Sequence, residues 1–287
     1  MKTYVIVNAD DFGLAPGINR GIIAAHCRGV VTSVSLMPTG DAFEEAIALA
    51  HQHTELAVGI HLTLVEGRPV LPAEKIPSLV TADGGFIETP WGFLKRWAVG
   101  QIRLDEVKKE LEAQVAKVAD QGIRIDKLDS HMHLHLLPGI FQTVVAIGKT
   151  HHIKGIRLPH EEVRWRGFSC LAGSAKEVVL DCLALVQARH VSSSGLYCPD
   201  YLCGIAESGQ MTEEALLRTL SSLRPGVTEI MVHPGYPDGQ MEGWALSRRY
   251  RRERELIALT STRIKELVKR RHIELVSYRT VHRETTG

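Results

Sequence analysis

Two adjacent carboxylates, Asp10 and Asp11, follow an apolar stretch near the N-terminus. The residues before them, Tyr4 to Val7, predict a buried β-strand, so the two carboxylates lie where that strand should end. Like charges side by side are costly unless a positive group is shared nearby. A bound metal ion is the obvious candidate for that positive group.

Histidines occupy the ends of three other predicted strands. They are His61 in Gly-Ile-His-Leu, His131 in Asp-Ser-His-Met-His-Leu-His and His233 in Met-Val-His-Pro-Gly. In a barrel of parallel strands the C-terminal ends of all strands meet at one mouth, which holds the active site. Such a fold would therefore gather residues that are far apart in the sequence.

These residues divide into ligands and proton-transfer groups. Asp11, His61 and His131 would supply one oxygen and two nitrogens to a metal ion, which leaves positions open for water and substrate. Asp10 could accept a proton from metal-bound water, and His233 could donate one to a leaving group. Each residue alone has a plainer interpretation, since Asp pairs are common in turns and a single histidine is usually part of the core. The joint pattern at four strand ends favours the catalytic interpretation.

Three further residues are candidate substrate contacts. His133 and His135 alternate with His131 and would share its strand face, but they begin a loop if the strand ends at His131. Arg157 ends another short apolar run. It is predicted with about equal weight to bind substrate or to pair with Asp10 or Asp129.

The elements that must position these residues alternate along the chain. The predicted strands are Val5–Asp10, Ser33–Met37, Ala57–Leu62, Lys127–His131, Gly155–Leu158, Glu229–His233 and Ile273–Tyr278. The predicted helices are Gly17–Cys27, Phe43–His51, Leu104–Gln121, Ile140–Lys149, Ala175–Ala188, Thr212–Ser222 and Ser247–Arg271. Repeated strand–helix units predict an α/β fold with a parallel sheet. A TIM-like (β/α) barrel of seven or eight strands, with room for distortion, is favoured over an open sheet, because no strand is followed by a glycine-rich nucleotide-binding loop.

The chain is expected to form one domain over residues 1–287, with Glu66–Gly92 and Glu161–Gly173 as loops over one end of the barrel. A net charge of +1 gives no reason to expect nucleic acid or an anionic membrane as a partner. The arginine-rich run from Arg248 to Arg254 is interpreted as a solvated helix face. No apolar run is long enough to span a membrane, and five cysteines without CxxC spacing suggest a reducing cytoplasm.

With these residues in place, the chain resembles the YdjC-like carbohydrate deacetylases, the family that includes chitooligosaccharide deacetylase. The resemblance covers most of the chain. It depends on the motifs around Asp10-Asp11, His61, Asp129 to His135 and His233. It implies a (β/α) barrel, one divalent ion held by an Asp and two His, and hydrolysis of N-acetyl groups on sugars. Mapped onto this sequence, it implies the same ligands, base and acid as above.

The resemblance also bears on metal, substrate and assembly. Family members are often described as Mg²⁺-dependent, whereas two imidazole ligands favour Zn²⁺ or another transition ion. The segment from Gly67 to Phe86 resembles the subgroup encoded alongside hopanoid lipid biosynthesis, which would suggest an N-acetylated sugar on a lipid head group; chito-oligosaccharide is the other candidate. The family also makes a homodimer an expectation.

Two other functions compete with deacetylation. A metal-dependent phosphoesterase also uses His/Asp clusters on barrels, but it usually holds two or three ions and needs more ligands than this sequence supplies. A carbohydrate- or glycolipid-binding protein without catalysis is the third, and it would have no reason to combine all five candidate catalytic and ligand residues. The number of ions per chain and the release of acetate from N-acetylated sugars distinguish the three.

Overall fold

Strands and helices alternate along the chain in the computed structural model, which describes residues 2–158, 175–236, 244 and 249–285. The strands in these residues are β1 (Thr3–Phe12), β2 (Ser33–Leu36), β3 (Ala57–Leu62), β4 (Ile125–Ser130), β5 (Gly155–Ile156), β6 (Tyr201–Cys203), β7 (Gly226–Val232) and β8 (Glu274–Leu275). The helices are α1 (Pro16–Arg28), α2 (Phe43–Gln52), α3 (Pro90–Ala98), α4 (Leu104–Ala119), α5 (Ile140–Thr150), α6 (Ala175–Ser194), α7 (Glu213–Ser222), α8 (Arg252–Thr260), α9 (Thr262–Arg270) and α10 (Tyr278–Thr285). Short 3-10 helices span Ala73–Lys75 and His131–Leu136.

The sheet is parallel and curled. Seven strands lie in the order β5-β4-β3-β2-β1-β7-β6, and β8 pairs with the start of β1. A single bridge between Gly155 and Tyr197 joins β5 to the segment just before β6, so the two ends of the sheet approach each other without a regular ladder. This arrangement confirms the predicted α/β class and a distorted (β/α) barrel.

Burial explains why these segments form strands. Every residue of β3 is buried, and so is β1 from Val5 onward. Strands covered on both faces read as continuous apolar runs, which is how they were recognised in the sequence. Because all the strands are parallel, the C-terminal ends of β1, β3, β4 and β7 lie at the same face of the sheet.

Several elements differ from those predicted, and β1 runs to Phe12, so Asp10 and Asp11 lie within the strand near its end. The predicted helix Ser247–Arg271 is two helices where it is described, α8 and α9, because Ser261 has extended backbone and its side chain accepts a hydrogen bond from the Arg263 amide. Strand β6 was missed because three residues are too short to show a pattern. Strand β4 ends at Ser130, so His131 begins a 3-10 helix instead of ending the strand.

The predicted loop Glu66–Gly92 is only partly irregular. It contains a 3-10 turn, and its end runs into α3, where the Thr89 side chain accepts a hydrogen bond from the Gly92 amide and Pro90 occupies the first turn. These two features are typical of a helix N-terminus. The other predicted loop, Glu161–Gly173, lies outside the described residues. No helix in the described part of the chain is long and apolar enough to cross a membrane.

Candidate active site

Asp10 and Asp11 lie at an irregularity in the pairing between β1 and β2. Ala9 pairs with Val34 and Phe12 with Leu36, so β1 has one residue more than β2 between these pairs. The φ angle of Asp11 is 67°, in the left-handed region. Adjacent side chains of a regular strand point to opposite faces, but a bulge redirects one of them. Asp10 and Asp11 therefore both reach the same site.

Backbone strain is concentrated around this site. Among the described residues, six that are not glycine have positive φ, and four of them, Asp11, Glu66, Met132 and His133, belong to the site or adjoin it. Each such conformation costs on the order of 1–3 kcal/mol and persists only where the surroundings enforce it. The clustering is what a functional constraint on these side chains would produce.

Asp11, His61 and His131 form a group that could hold a metal ion. The Oδ1 atom of Asp11 lies 3.8 Å from Nε2 of His61 and 3.9 Å from Nδ1 of His131. All three ligand atoms lie within 4.8 Å of one another, and all three residues are buried. One carboxylate oxygen and two imidazole nitrogens are a usual donor set for a catalytic divalent ion.

The other ring nitrogens of both histidines face carboxylates. Nδ1 of His61 lies 2.7 Å from Oδ1 of Asp129, and Nε2 of His131 lies 2.9 Å from Oε2 of Glu66. When each histidine donates its N–H to that carboxylate, the nitrogen facing Asp11 keeps its lone pair for a metal ion. Metal-binding histidines almost always have such a partner, so the residues present fit a metal ion.

A second group, Asp10, His61 and Asp129, has compatible spacing but is already neutralised. Arg157 contacts both of its carboxylates, at 2.8 Å from Asp10 and 3.0 Å from Asp129. Lys127 donates a further hydrogen bond to Asp129. Because two protein cations occupy this group, the group formed by Asp11, His61 and His131 is the better candidate for a metal site.

Asp10 keeps one carboxylate oxygen facing the site. Its Oδ1 atom accepts hydrogen bonds from Asn8, Ser35 and Arg157. Its Oδ2 atom accepts one from Arg157 and lies 3.9 Å from Nε2 of His233. Burial by itself would raise the pKa of Asp10, but Arg157 holds it well below its usual value. Asp10 is therefore a fixed carboxylate anion, with Oδ2 directed at His233.

Asp11 has its own cation. Arg252 donates a hydrogen bond to Oδ2 of Asp11, whereas the other oxygen, Oδ1, faces His61 and His131. Burial would raise the pKa of Asp11, but Arg252 and the nearby histidines lower it to about 2. The carboxylates around His61 act in the opposite sense and raise its pKa despite its burial. Without an ion the site favours a proton on His61, so metal binding would release a proton.

His233 is held at the end of β7 by its backbone and its ring. Its amide donates to Oε2 of Glu255 at 2.5 Å, and its ring packs edge-on to Tyr250 with centroids 4.6 Å apart. Burial lowers the pKa of His233 to about 4, although Asp11 and Asp10 oppose this shift. Burial raises the pKa of Glu255 to about 7. His233 is therefore neutral near pH 7 in this structure.

The three predicted substrate contacts, Arg157, His133 and His135, are all buried. Arg157 is fully buried and pairs with Asp10 and Asp129, which was one of the two predicted roles, and it also binds Glu229. Its guanidinium is engaged by these carboxylates, and a substrate role for it stays a prediction. The ring nitrogens of His135 are also engaged, at 2.7 Å from the Ser130 hydroxyl and 2.9 Å from the Arg157 carbonyl, and its substrate role likewise stays a prediction. His133 is 8% exposed and packs beside His135.

Sequence reasoning missed three residues of this site. Glu66 was placed in a loop, where nothing in the sequence marks it as a partner of His131. Trp244, which is buried and packs edge-on to His131 with centroids 5.8 Å apart, follows no apolar pattern. Arg252 was assigned to a solvated helix face, yet it is only 6% exposed, so that interpretation is wrong for this residue. Because Arg252 lies within a run of arginines, the sequence alone does not distinguish it from its neighbours.

Comparisons with known proteins show which proteins this chain is similar to. A model of the YdjC-like protein family matches residues 4–270. A carbohydrate deacetylase from Mus musculus is 33% identical over 294 residues, covering 96% of this chain and 93% of that protein. A chitooligosaccharide deacetylase from Serratia marcescens is 32% identical over 213 residues, covering 71% of this chain and 81% of that protein. The crystal structure of a candidate cellobiose-phosphate cleavage protein from Enterococcus faecalis superposes with a TM-score of 0.78 at 30% identity, covering 98% of this chain and 99% of that one.

Proposed function

Since this chain belongs to the YdjC-like family, we propose that it is a hydrolase that removes the acetyl group from an N-acetylated sugar. The relatives named carbohydrate deacetylase support this activity. The observation that carries the proposal is the buried group Asp11, His61 and His131 with a second carboxylate, Asp10, directed into the same site. Residues 1–287 are proposed to act as one catalytic domain.

The protein residues prepare a position for one divalent ion. Asp11, His61 and His131 would hold it, while Asp129 and Glu66 fix the orientation of the two histidines. When bound there, the ion would polarise the acetyl carbonyl and lower the pKa of water. Zn²⁺ or another transition ion suits the two imidazoles, and Mg²⁺ is the alternative that the family resemblance implies.

Asp10 is proposed as the proton acceptor. Its Oδ2 atom has the fewest hydrogen-bond donors and faces the site, so a water molecule there can donate to it. Arg157 fixes the position of the carboxylate from behind with two hydrogen bonds. A general base must first lie within reach of the proton it removes, and this arrangement satisfies that requirement.

His233 is proposed as the proton donor to the departing nitrogen. Burial keeps its ring neutral in the resting protein, so it gains its proton during the reaction. The gap of 3.9 Å between its Nε2 atom and Oδ2 of Asp10 is wide enough for a water or substrate atom to bridge. The proton that Asp10 takes from water then passes to His233 and from His233 to the amine, so that one proton leaves water and one reaches the nitrogen.

The test of this function is acetate release by the purified chain from a panel of substrates. The panel contains N-acetylated chito-oligosaccharides and N-acetylated glycolipids, each assayed with Zn²⁺, Mg²⁺ and Co²⁺. Metal-dependent release of acetate from one class supports the proposal and identifies the sugar. Absence of release from every member with every ion would contradict it.

A phosphoesterase and a binding protein without catalysis are not favoured. A phosphoesterase of this type usually needs two or three ions, whereas the two candidate metal groups among the described residues share His61 and one is neutralised by Arg157 and Lys127. A cytoplasmic location is part of the proposal, since Cys27, Cys182, Cys198 and Cys203 are free thiols. A homodimer stays a prediction.

A further inference from the structure

Arg252, the first residue of α8, is a buried arginine whose guanidinium is only partly bonded. Its Nη2 atom donates to Oδ2 of Asp11. Its Nε and Nη1 atoms have no hydrogen-bond partner among the described residues, although the residue is only 6% exposed. These two atoms carry three N–H donors. Burying charged donors without acceptors is unfavourable, so this guanidinium is suited to a ligand that brings oxygen atoms.

The position of Arg252 indicates which ligand that is. The carboxylate of Asp11 lies between it and the candidate metal position, because Oδ1 of Asp11 faces His61 and His131 while Oδ2 faces Arg252. In the proposed reaction the acetyl carbonyl lies at that metal position. The guanidinium of Arg252 is thus separated from the proposed position of the reacting group by one carboxylate.

An aromatic ring and the proposed proton donor lie near Arg252. The guanidinium carbon lies 5.1 Å from the centre of the Tyr250 ring, and that ring packs against His233. The cation, the aromatic ring and the proposed proton donor are therefore neighbours. A planar guanidinium with several free donors matches the two oxygens of a carboxylate.

We propose that Arg252 is a further catalytic residue, whose N–H donors not bonded to Asp11 contact the oxygen atoms of the acyl group; this rests on the proposed deacetylation. In that reaction the C–N bond breaks and a C–O bond forms to the oxygen of water. One proton from water ends on the nitrogen, and the acyl carbon leaves as acetic acid, which passes its remaining proton to the free amine or to solvent and becomes acetate. Arg252 stabilises the negative charge that develops on the acyl oxygen and then holds the acetate carboxylate.

The experiment compares wild type with Arg252→Lys and Arg254→Lys. The first change keeps a cation beside Asp11 but removes the planar fork, and the second alters an exposed arginine of the same helix. For each protein we would measure bound metal, kcat and KM for acetate release, and the Kd of acetate itself by NMR titration. The acetate titration needs no turnover, and thermal unfolding shows whether each variant is folded.

We expect Arg252→Lys to lower kcat on the order of 10²-fold, as for loss of an oxyanion donor, with bound metal unchanged and acetate affinity at least about tenfold weaker. Arg254→Lys should match wild type. The proposal is overturned if Arg252→Lys binds acetate as wild type does, or if its activity falls only in proportion to lost metal. The proposal is also overturned if Arg252→Lys changes KM but not kcat, and does so only for sugars that carry a phosphate or a carboxylate, because Arg252 would then bind that substituent instead of the acyl group. If wild type releases no acetate while acetate binding still depends on Arg252, the deacetylase proposal fails and the carboxylate site stands.

Discussion

Arg157 donates hydrogen bonds to both carboxylate oxygens of Asp10, each at 2.8 Å, across 147 positions of sequence. The guanidinium is fully buried and also binds Glu229 and Asp129. Burial would lower the pKa of Arg157, but these carboxylates raise it well above its usual value. The pair therefore keeps Asp10 negatively charged near the end of β1, directly beside the proposed metal ligand Asp11.

Removal of this arginine should destabilise the fold. Arg157→Met leaves Asp10 and Glu229 buried without their main cation, which typically costs about 3–5 kcal/mol of unfolding free energy. The matched control is Arg263→Met, since Arg263 pairs with Glu213 at the surface, with 64% of its side chain exposed. That change should cost about 1 kcal/mol or less. Urea unfolding of both variants measures the difference, and equal losses would contradict the assigned role of Arg157.

The Glu66 carboxylate, which contacts the Nε2 atom of His131, should strengthen metal binding. Glu66→Gln removes the charge on the N–H side of His131 and should weaken the affinity for Zn²⁺ by about 10–100-fold, the usual effect of losing such a partner. Glu88→Gln, an exposed glutamate of the same segment, serves as the control. Calorimetric titration of the chelator-stripped proteins measures both affinities. If Glu66→Gln binds Zn²⁺ as tightly as Glu88→Gln does, Glu66 has no part in the site.

The pH dependence of stability should reflect His135. Burial lowers its pKa in the folded protein from 6.5 to about 4. The unfolded chain therefore binds the proton more readily, and this contribution to stability is complete above pH 6.5 and is lost as the pH falls through 4. A shift of this size corresponds to about 3 kcal/mol.

His135→Gln tests this pH dependence because glutamine can still hydrogen-bond but does not titrate. Between pH 7 and 4 the unfolding free energy of wild type should fall more steeply than that of the variant. His233 and the lowered carboxyls titrate in both proteins, so the difference between the curves belongs to His135. Parallel curves would show that His135 keeps an ordinary pKa in the fold.

Much of this site was predictable because parallel strands bring their C-terminal ends together. Asp11 and His61 lie near the C-terminal ends of β1 and β3, and His131 directly follows β4, so the topology alone places them at one face. The division of Asp10 from Asp11 was predicted from chemistry, but its geometric cause was not visible. It depends on a bulge and a left-handed φ at Asp11, which no sequence period indicates.

The residues that surround the ligands were harder to predict for a physical reason. Glu66 and Arg252 come from a loop and a helix start, where no period in the sequence sets the direction of a side chain. Both are charged residues that can be buried because each has a hydrogen-bonding partner in the fold. The sequence shows the charged residue but does not show which partner it has. Helices α8 and α9 were predicted as one helix for a similar reason. The sequence pattern is helical on both sides of Ser261, and it does not show that the backbone of Ser261 is extended.

The most direct test of the account compares Asp10→Asn with Asp11→Asn, with bound metal and acetate release measured on the same samples. Asp10→Asn should keep one ion per chain and lose on the order of 10²–10⁴-fold in kcat, the usual contribution of a general base. Asp11→Asn should lose the ion and the activity together. Full activity in a folded Asp10→Asn protein, or an ion retained at wild-type affinity by Asp11→Asn, would contradict the division of roles between the two carboxylates.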